Sequence, residues 1–324
     1  MTLPNAIPSM ILAGCHVPMT KLRFLLSVTN EDNDFQIEQV KAARQVASKA
    51  DVELEVLSAR DDGILQSQQL LHRIQSAAVS RPNAVLFEPA GSTVLPQVAS
   101  AAAAAGIGWA LLSRDAEYLN ELRSVYHVPA FVVSPDHSEI GRIQGRQLAA
   151  LLPAGGLVLY IQGPSQSLAA KQRHAGLLET KPGNAQLRIL KAHWTESSSH
   201  KAVSSWLQLS TSRATDFKAV CAQDDSMALG ARKAFEQCTQ ELRASWLTIP
   251  FLGIDGMPKT GQAWVRDGLL TATIFSPPTA GIAIELMARS MARGTMPPVR
   301  TLTEPKSIPA IEELARKARA PSAQ

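Results

Sequence analysis

Apolar and polar positions alternate along this chain in two kinds of block. From Lys21 onward, short continuous apolar runs are followed by longer segments whose apolar residues recur every three or four positions. The first kind predicts buried strands and the second amphipathic helices. Strands are predicted at Leu22 to Val28, Val52 to Leu57, Ala84 to Phe87 and Ile107 to Leu112. Helices lie between them at Phe35 to Ala50, Ile64 to Val79 and Val94 to Ala105. Strands alternating with helices of this length make βαβ units, hence a parallel sheet covered on both faces, with right-handed crossovers.

After a less regular stretch around Tyr118 to His127 the alternation restarts. Further strands are predicted at Phe131 to Val133, Leu157 to Ile161, Leu187 to Lys191, Phe217 to Cys221, Ile249 to Ile254 and Thr271 to Ile274. Helices are predicted at about Asp136 to Leu152, Leu168 to Leu178, Lys201 to Leu209, Met227 to Gln237 and Lys259 to Arg266. A last helix opens at Pro277-Pro278, since proline suits a first helical turn, and Gly294 ends it. Two similar α/β runs in 324 residues predict two Rossmann-like lobes with parallel sheets, each with its own core.

Composition narrows the function classes. Apolar residues make up 45% and charged residues 19%, as in a globular chain. The net charge of +4 is scattered, and no basic run or stripe interleaved with aromatics points to nucleic acid. The densest basic spot, Arg316-Lys317-Ala-Arg319, reads as a solvated helix end. Cys15, Cys221 and Cys238 form no disulfide framework and have no metal-ligand spacing to histidine; Cys221 reads as a packing residue. No apolar stretch is long enough to span a bilayer. The first twenty residues read as a leader. They lack the basic start of a secretory signal, yet Leu12-Ala13-Gly14-Cys15 resembles a bacterial lipobox. A lipid-anchored chain and a plain leader both stay open, and with them an extracytoplasmic or a cytoplasmic location.

Catalytic signatures are absent: no G-x-S-x-G elbow, no phosphate loop and no H-E-x-x-H. No metal or cofactor is expected. Polar and aromatic residues instead recur where strands end, the place where ligands bind in open α/β sheets. Asn33 and Phe35 follow the first strand, Glu88 the third, and Ser113, Arg114 and Asp115 the fourth. Lys171 and Arg173 lie beyond Ile161, and Asp224, Asp225, Asp255 and Ser276 follow later strands. Singly, each has a plain use as a cap, turn or surface charge. Together they describe a crevice with charge-assisted partners for hydroxyls and a ring for an apolar sugar face.

Four segments carry a resemblance: Ala222-Gln-Asp-Asp-Ser-Met-Ala-Leu-Gly-Ala231, Leu252-Gly-Ile-Asp-Gly256, Asp267-Gly-Leu-Leu-Thr-Ala-Thr-Ile274 and Ala169-Ala-Lys-Gln-Arg-His-Ala-Gly176. Over roughly Lys21 to Pro305 the chain resembles the ribose-type periplasmic solute-binding proteins of ABC transporters, whose fold is shared by lactose-repressor-type sensor domains. The resemblance implies two lobes joined by a three-strand hinge. The first would take residues 21–128 and about 277–303, the second 129–276 and about 304–324. It also implies a site. Asn33 and Phe35 look like the polar and stacking groups of the first loop. Glu88 stands where the family often has a hydrogen-bonding Asn or Asp. Arg114 looks like the arginine that clamps hydroxyls, and Lys171 stands where Arg is common. Trp194 lies near the second-lobe aromatic position. Asp224 and Asp255 look like ligand acceptors, and Ser276 replaces a typical Gln. On this reading Asp224 faces the crevice and Asp225 caps the helix beginning near Met227.

The departures are informative. Gln36 replaces a frequent second aromatic, Ser113 a carboxylate and Ser276 an amide. They argue against ribose itself and for another sugar, a polyol or an amine-bearing solute. The resemblance implies a non-catalytic, monomeric binding protein that delivers its solute to a transporter permease. A sensing module without transport, and an enzyme on an α/β scaffold, are the alternatives; the stretch before Lys21 is too short for a helix-turn-helix.

Overall fold

The computed structural model describes residues 21–31, 34–91, 93–209 and 216–319. Asn33 and Cys15, both singled out above, lie outside the described residues. The apolar runs of the first half become β1 (Leu22–Val28), β2 (Val52–Ser58), β3 (Ala84–Phe87), β4 (Gly108–Leu112) and β5 (Ala130–Pro135). With β11 (Arg300–Thr303) they form one parallel sheet in the order β2-β1-β3-β4-β5-β11. Both faces are buried, which is why these strands read as continuous apolar runs rather than alternating ones. On one face α2 (Gly63–Ile74), α3 (Pro96–Ala104) and α4 (Leu119–Val125) pack on Leu25, Val85, Phe87 and the fully buried Trp109. On the other, α1 (Asp34–Lys49) and α11 (Thr279–Arg293) pack on Phe24, Leu26, Leu86 and Phe131.

The second sheet contains β6 (Gly156–Gln162), β7 (Ala185–Lys191), β8 (Phe217–Ala222) and β9 (Phe251–Leu252), parallel in the order β7-β6-β8-β9. Its faces are covered by α5 (His137–Leu151), α6 (Leu168–Thr180) and α12 (Ile311–Arg319) on one side, through Leu148, Leu177 and Leu314. On the other side lie α7 (Glu196–Leu207), α8 (Asp225–Glu236) and α9 (Gln240–Leu247), where Trp206, Phe217, Phe235 and Trp246 form an aromatic cluster. α10 (Gly261–Arg266) precedes β10 (Thr273–Phe275), which pairs antiparallel with β12 (Lys306–Ile308).

The chain passes between the two sheets three times: between β5 and α5, between β10 and α11, and between β11 and β12. The boundary expected at 129 falls too early, because β5 pairs with β4 and β11 inside the first sheet. Gln147 braces the crossing region, donating to the Thr273 carbonyl at 3.0 Å and to Ser307 Oγ at 2.9 Å.

Other differences have local causes. The helix expected to reach Val79 stops at Ile74. There Ser76 Oγ donates to the Arg73 carbonyl, and Val79 is 81% exposed. The ninth strand shrinks to two residues. Beyond it the pairing continues only as single bridges, Leu252 with Ala272 and Asp255 with Phe275. The basic spot at Arg316 to Arg319 is the exposed last turn of α12, placed where cations complement the helix dipole. Among the described residues no helix is long and apolar enough to cross a membrane.

Candidate functional site

Each sheet reverses its strand order once, between β1 and β3 in the first and between β6 and β8 in the second. At such a point the loops leave in opposite directions and open a crevice at the strands' carboxyl ends. Glu88 and Arg114 follow β3 and β4 of the first sheet, and Arg173, Asp224 and Asp255 come after β6, β8 and β9 of the second.

In the first lobe Glu88 follows β3 directly. Its backbone is held by Gln66, whose Nε2 donates to the Glu88 carbonyl at 2.8 Å and to Ser27 Oγ at 3.0 Å, while Oε1 accepts from Ala90 N at 2.9 Å. Gln36, in the first turn of α1, donates its Nε2 to Glu88 Oε2 at 2.8 Å. Burial raises the Glu88 pKa; the bonds from its neighbours and the charge of Arg114 hold it down. Arg114 donates to the Gly91 carbonyl at 2.8 Å, and burial lowers its pKa against the pull of Glu88. Ser113, before it, sits at φ 64 with its hydroxyl buried beside the Glu88 carboxylate. Phe35 is half-buried at the start of α1 and lies outside the lobe's two apolar clusters.

The second lobe presents a more heavily bonded wall. Asp224 is the N-cap of α8: its Oδ1 accepts from Met227 N at 2.5 Å. Burial pushes its pKa up to about 6, against the Met227 bond and the charge of Arg173. Asp225 is buried behind it. Its Oδ2 accepts from Gly256 N at 2.7 Å and its Oδ1 from Thr273 Oγ1 at 2.6 Å. It therefore ties the start of α8 to the loop after β9 and to β10. Gly253 and Gly261 make room for it, since a Cβ on either would strike its carboxylate. The cap expected at Asp225 is thus corrected: Asp224 caps the helix and Asp225 is a latch between loops. The expected start near Met227 lies two residues late, and that shifts the cap position by one.

Asp255 sits at φ 105, a strained conformation for a residue with a Cβ, of order 1–3 kcal/mol. Its carboxylate lies 3.8 Å from Arg173 Nη2. Burial pushes its pKa up to about 8; Arg173 opposes this, while Asp224 and, from the first lobe, Glu88 and Asp34 add to it. The two walls are therefore close enough to feel each other's charges. Ser276 is buried and donates its N–H to the Asp255 carbonyl at 3.0 Å.

Arg173, named above beside Lys171 but not chosen for the site, is the α6 residue that reaches Asp255. It is 7% exposed, and besides Asp255 it contacts three groups. It donates to the Gln223 carbonyl and, at 3.4 Å, to His137 Nδ1, and it lies 5.6 Å over the ring of Trp194. Burial, followed by the Arg173 charge, lowers the His137 pKa to about 3, so this ring is neutral and accepts. Lys171, expected at the site, is exposed on α6 instead. The signal was in the sequence: Ala170, Arg173 and Leu177 share the buried face of α6 at helical spacing. The Trp194 ring lies as a platform under the Arg173 guanidinium. Among the described residues no group of three or more His, Cys, Asp or Glu is arranged to hold a metal ion.

A family model described as a periplasmic binding protein domain matches residues 24–295. The ribose import binding protein of Escherichia coli K12 is 26% identical over 260 residues, which cover 80% of this chain and 81% of that one. A periplasmic solute-binding protein of an ABC transporter from Actinobacillus succinogenes, solved with bound D-allose, superposes with a TM-score of 0.75 at 21% identity. The match covers 91% of this chain and all of that one. A Caulobacter myo-inositol binding protein, solved with myo-inositol, gives 0.73 at 18%, covering 92% and 96%. At these identities the two structures are likenesses of fold, that of the type I periplasmic binding proteins.

Proposed function

The chain belongs to the periplasmic binding protein domain family, and from that premise we propose that it binds a monosaccharide or related polyol in the crevice between its lobes and hands it to an ABC transporter. One observation carries the reading. Glu88 and Arg114 follow strands of one sheet and Arg173, Asp224 and Asp255 come after strands of the other, and the charge of Glu88 reaches across to Asp255. The likeness to sugar- and polyol-binding relatives supports the same solute class.

The chemistry follows from these groups. Carboxylates and guanidiniums form charge-assisted bonds with hydroxyls, each worth about 1.5–3 kcal/mol. Phe35 and the Trp194 ring offer flat apolar surfaces that suit the C–H face of a sugar ring. A solute touching both walls favours the arrangement in which they are close, so binding shifts the lobes toward closure by its differential affinity for that state. The relatives are solute-binding proteins, and this chain is a binding protein rather than an enzyme. Its place is extracytoplasmic, with Cys15 as the anchor point; mass spectrometry of the native N-terminus reads lipidation there directly.

The test is calorimetric titration with a panel of pentoses, hexoses and polyols. At least one binds, and Asp255→Ala weakens that binding by about a hundredfold, the equivalent of one strong charge-assisted bond. Unchanged affinity in the variant overturns the site; silence across the panel overturns the solute class.

A further inference from the structure

We propose that the first-lobe end of the crevice, between Glu88 and the Gln36 amide oxygen, is a subsite for an ammonium group, so that the solute is an amine-bearing sugar or polyol. The inference rests on the solute-binding reading above and specifies its chemistry.

The donors and acceptors of this corner are unbalanced. Gln36 is 5% exposed, and its amide nitrogen is committed to Glu88 at 2.8 Å. Its amide oxygen is buried with no hydrogen-bond partner among the described residues. A buried acceptor left unpaired costs about 1–3 kcal/mol, and such groups ordinarily find a partner. Beside it stands the Glu88 carboxylate, acceptor-only when ionised. The nearby guanidinium, Arg114, has one nitrogen turned to the Gly91 carbonyl. The missing partner is therefore a donor. A solute hydroxyl supplies one donor; an ammonium supplies three and brings no acceptor lone pairs into a corner already rich in them.

Acidic groups crowd this crevice. Burial raises the pKa of Asp224 to about 6, and burial together with Asp224, Glu88 and Asp34 raises that of Asp255 to about 8. A cationic group brought beside Glu88 favours its ionised form, and burying a carboxylate without such a partner is costly. On the second wall Asp224 accepts the cap bond from Met227 N, Asp225 accepts from Gly256 N and Thr273 Oγ1, and Asp255 faces Arg173 at 3.8 Å. What sets Glu88 apart is its neighbour, Gln36, whose amide oxygen is buried without a partner among the described residues.

The test uses matched pairs that differ only by amine for hydroxyl: D-glucose with D-glucosamine, D-galactose with D-galactosamine, and myo-inositol with an amino-deoxy inositol. Titrations run at about pH 6.5, below the usual range of an amino group, on wild type, Glu88→Gln and Gln36→Met. Thermal melting checks that each variant is folded. In at least one pair the amine binds tenfold or more tightly than its hydroxyl partner, and the ratio falls to within about threefold in Glu88→Gln, as expected when one charge-assisted bond is lost. Gln36→Met narrows the ratio in the same direction, which keeps the test decisive if Glu88→Gln does not fold. Hydroxyl members binding as tightly as amines, or a preference that survives both substitutions, overturn the ammonium subsite and leave the sugar reading standing. If no member of any pair binds, the sugar reading fails and takes the subsite with it.

Discussion

The two walls of the crevice are built on the same plan and finished differently. Each is the switch point of a parallel sheet, with polar side chains on the loops that leave it. In the second lobe those side chains are occupied with one another. Asp224 caps α8, Asp225 latches two loops to it, and Arg173 is clasped by Gln223, His137, Trp194 and Asp255. In the first lobe Glu88 accepts from Gln36 at 2.8 Å, and the Gln36 amide oxygen is buried without a hydrogen-bond partner among the described residues. One wall is pre-organised by its own hydrogen bonds, which lowers the entropy lost on binding. On the reading proposed above, the solute fills the open acceptor of the other wall, so affinity common to many solutes belongs to the first kind of wall and discrimination among them to the second.

The sharpest way to break this comparison is to remove the latch. Asp225→Ala leaves the Gly256 N–H and the Thr273 hydroxyl buried and unpaired, at a cost of about 3 kcal/mol in stability. Asp224→Ala removes an N-cap, at about 1 kcal/mol. Chemical denaturation orders the two. A smaller loss for Asp225→Ala than for Asp224→Ala would return the cap to Asp225 and undo the account of this wall.

The pH dependence comes next. Asp224 and Asp255 are raised to about 6 and about 8, first of all by burial. A carboxylate whose folded pKa lies above its unfolded value binds more protons when folded. Its contribution to stability is complete below about pH 4 and is lost as pH rises through the folded pKa, with a slope of up to about 1.4 kcal/mol per pH unit per proton. Melting temperature of the ligand-free protein should therefore fall between about pH 5 and 8, with Asp255→Asn flattening the upper part. A melting temperature that climbs through this range would mean that the carboxylates are ionised and well paired, contrary to the crowding described.

The smallest effect is the most diagnostic of position. Lys171→Ala changes neither affinity nor stability by more than about 0.5 kcal/mol, as for an exposed side chain. Arg173→Met weakens solute binding at least tenfold in calorimetry, having lost the guanidinium that spans Asp255, Gln223 and Trp194. Equal losses from the two substitutions would restore Lys171 to the site.

The strand and helix order, the two α/β runs and the position of most site residues at strand ends were legible in the chain. Each depends on a local period, continuous apolar runs for doubly covered strands and a period near 3.6 for helices. Glu88, Arg114 and Asp255 lie where the apolar runs predict strand ends, and the charges of Arg114 and Asp255 each interact with that of Glu88. The order of the β-strands, which puts β3 beside β1 and β8 beside β6, was not a local property and depended on pairing between distant segments.

The choice between neighbouring residues was decided only in three dimensions. Lys171 and Arg173 are two positions apart, about 200° around a helix, so the phase of α6 determines which faces the crevice. That phase is set by close backbone contact with α5, where a Cβ on Gly141 would strike the Arg173 carbonyl and one on Gly176 the Ser138 carbonyl. Asp224 and Asp225 differ by one position at a helix start, and their roles follow from where Gly256 and Thr273, some thirty and fifty residues later, arrive beside them. Local periodicity determines which elements form. Whether a given polar side chain caps, latches or binds is decided by partners distant in sequence, because a buried polar group takes whichever donor the packing brings within reach.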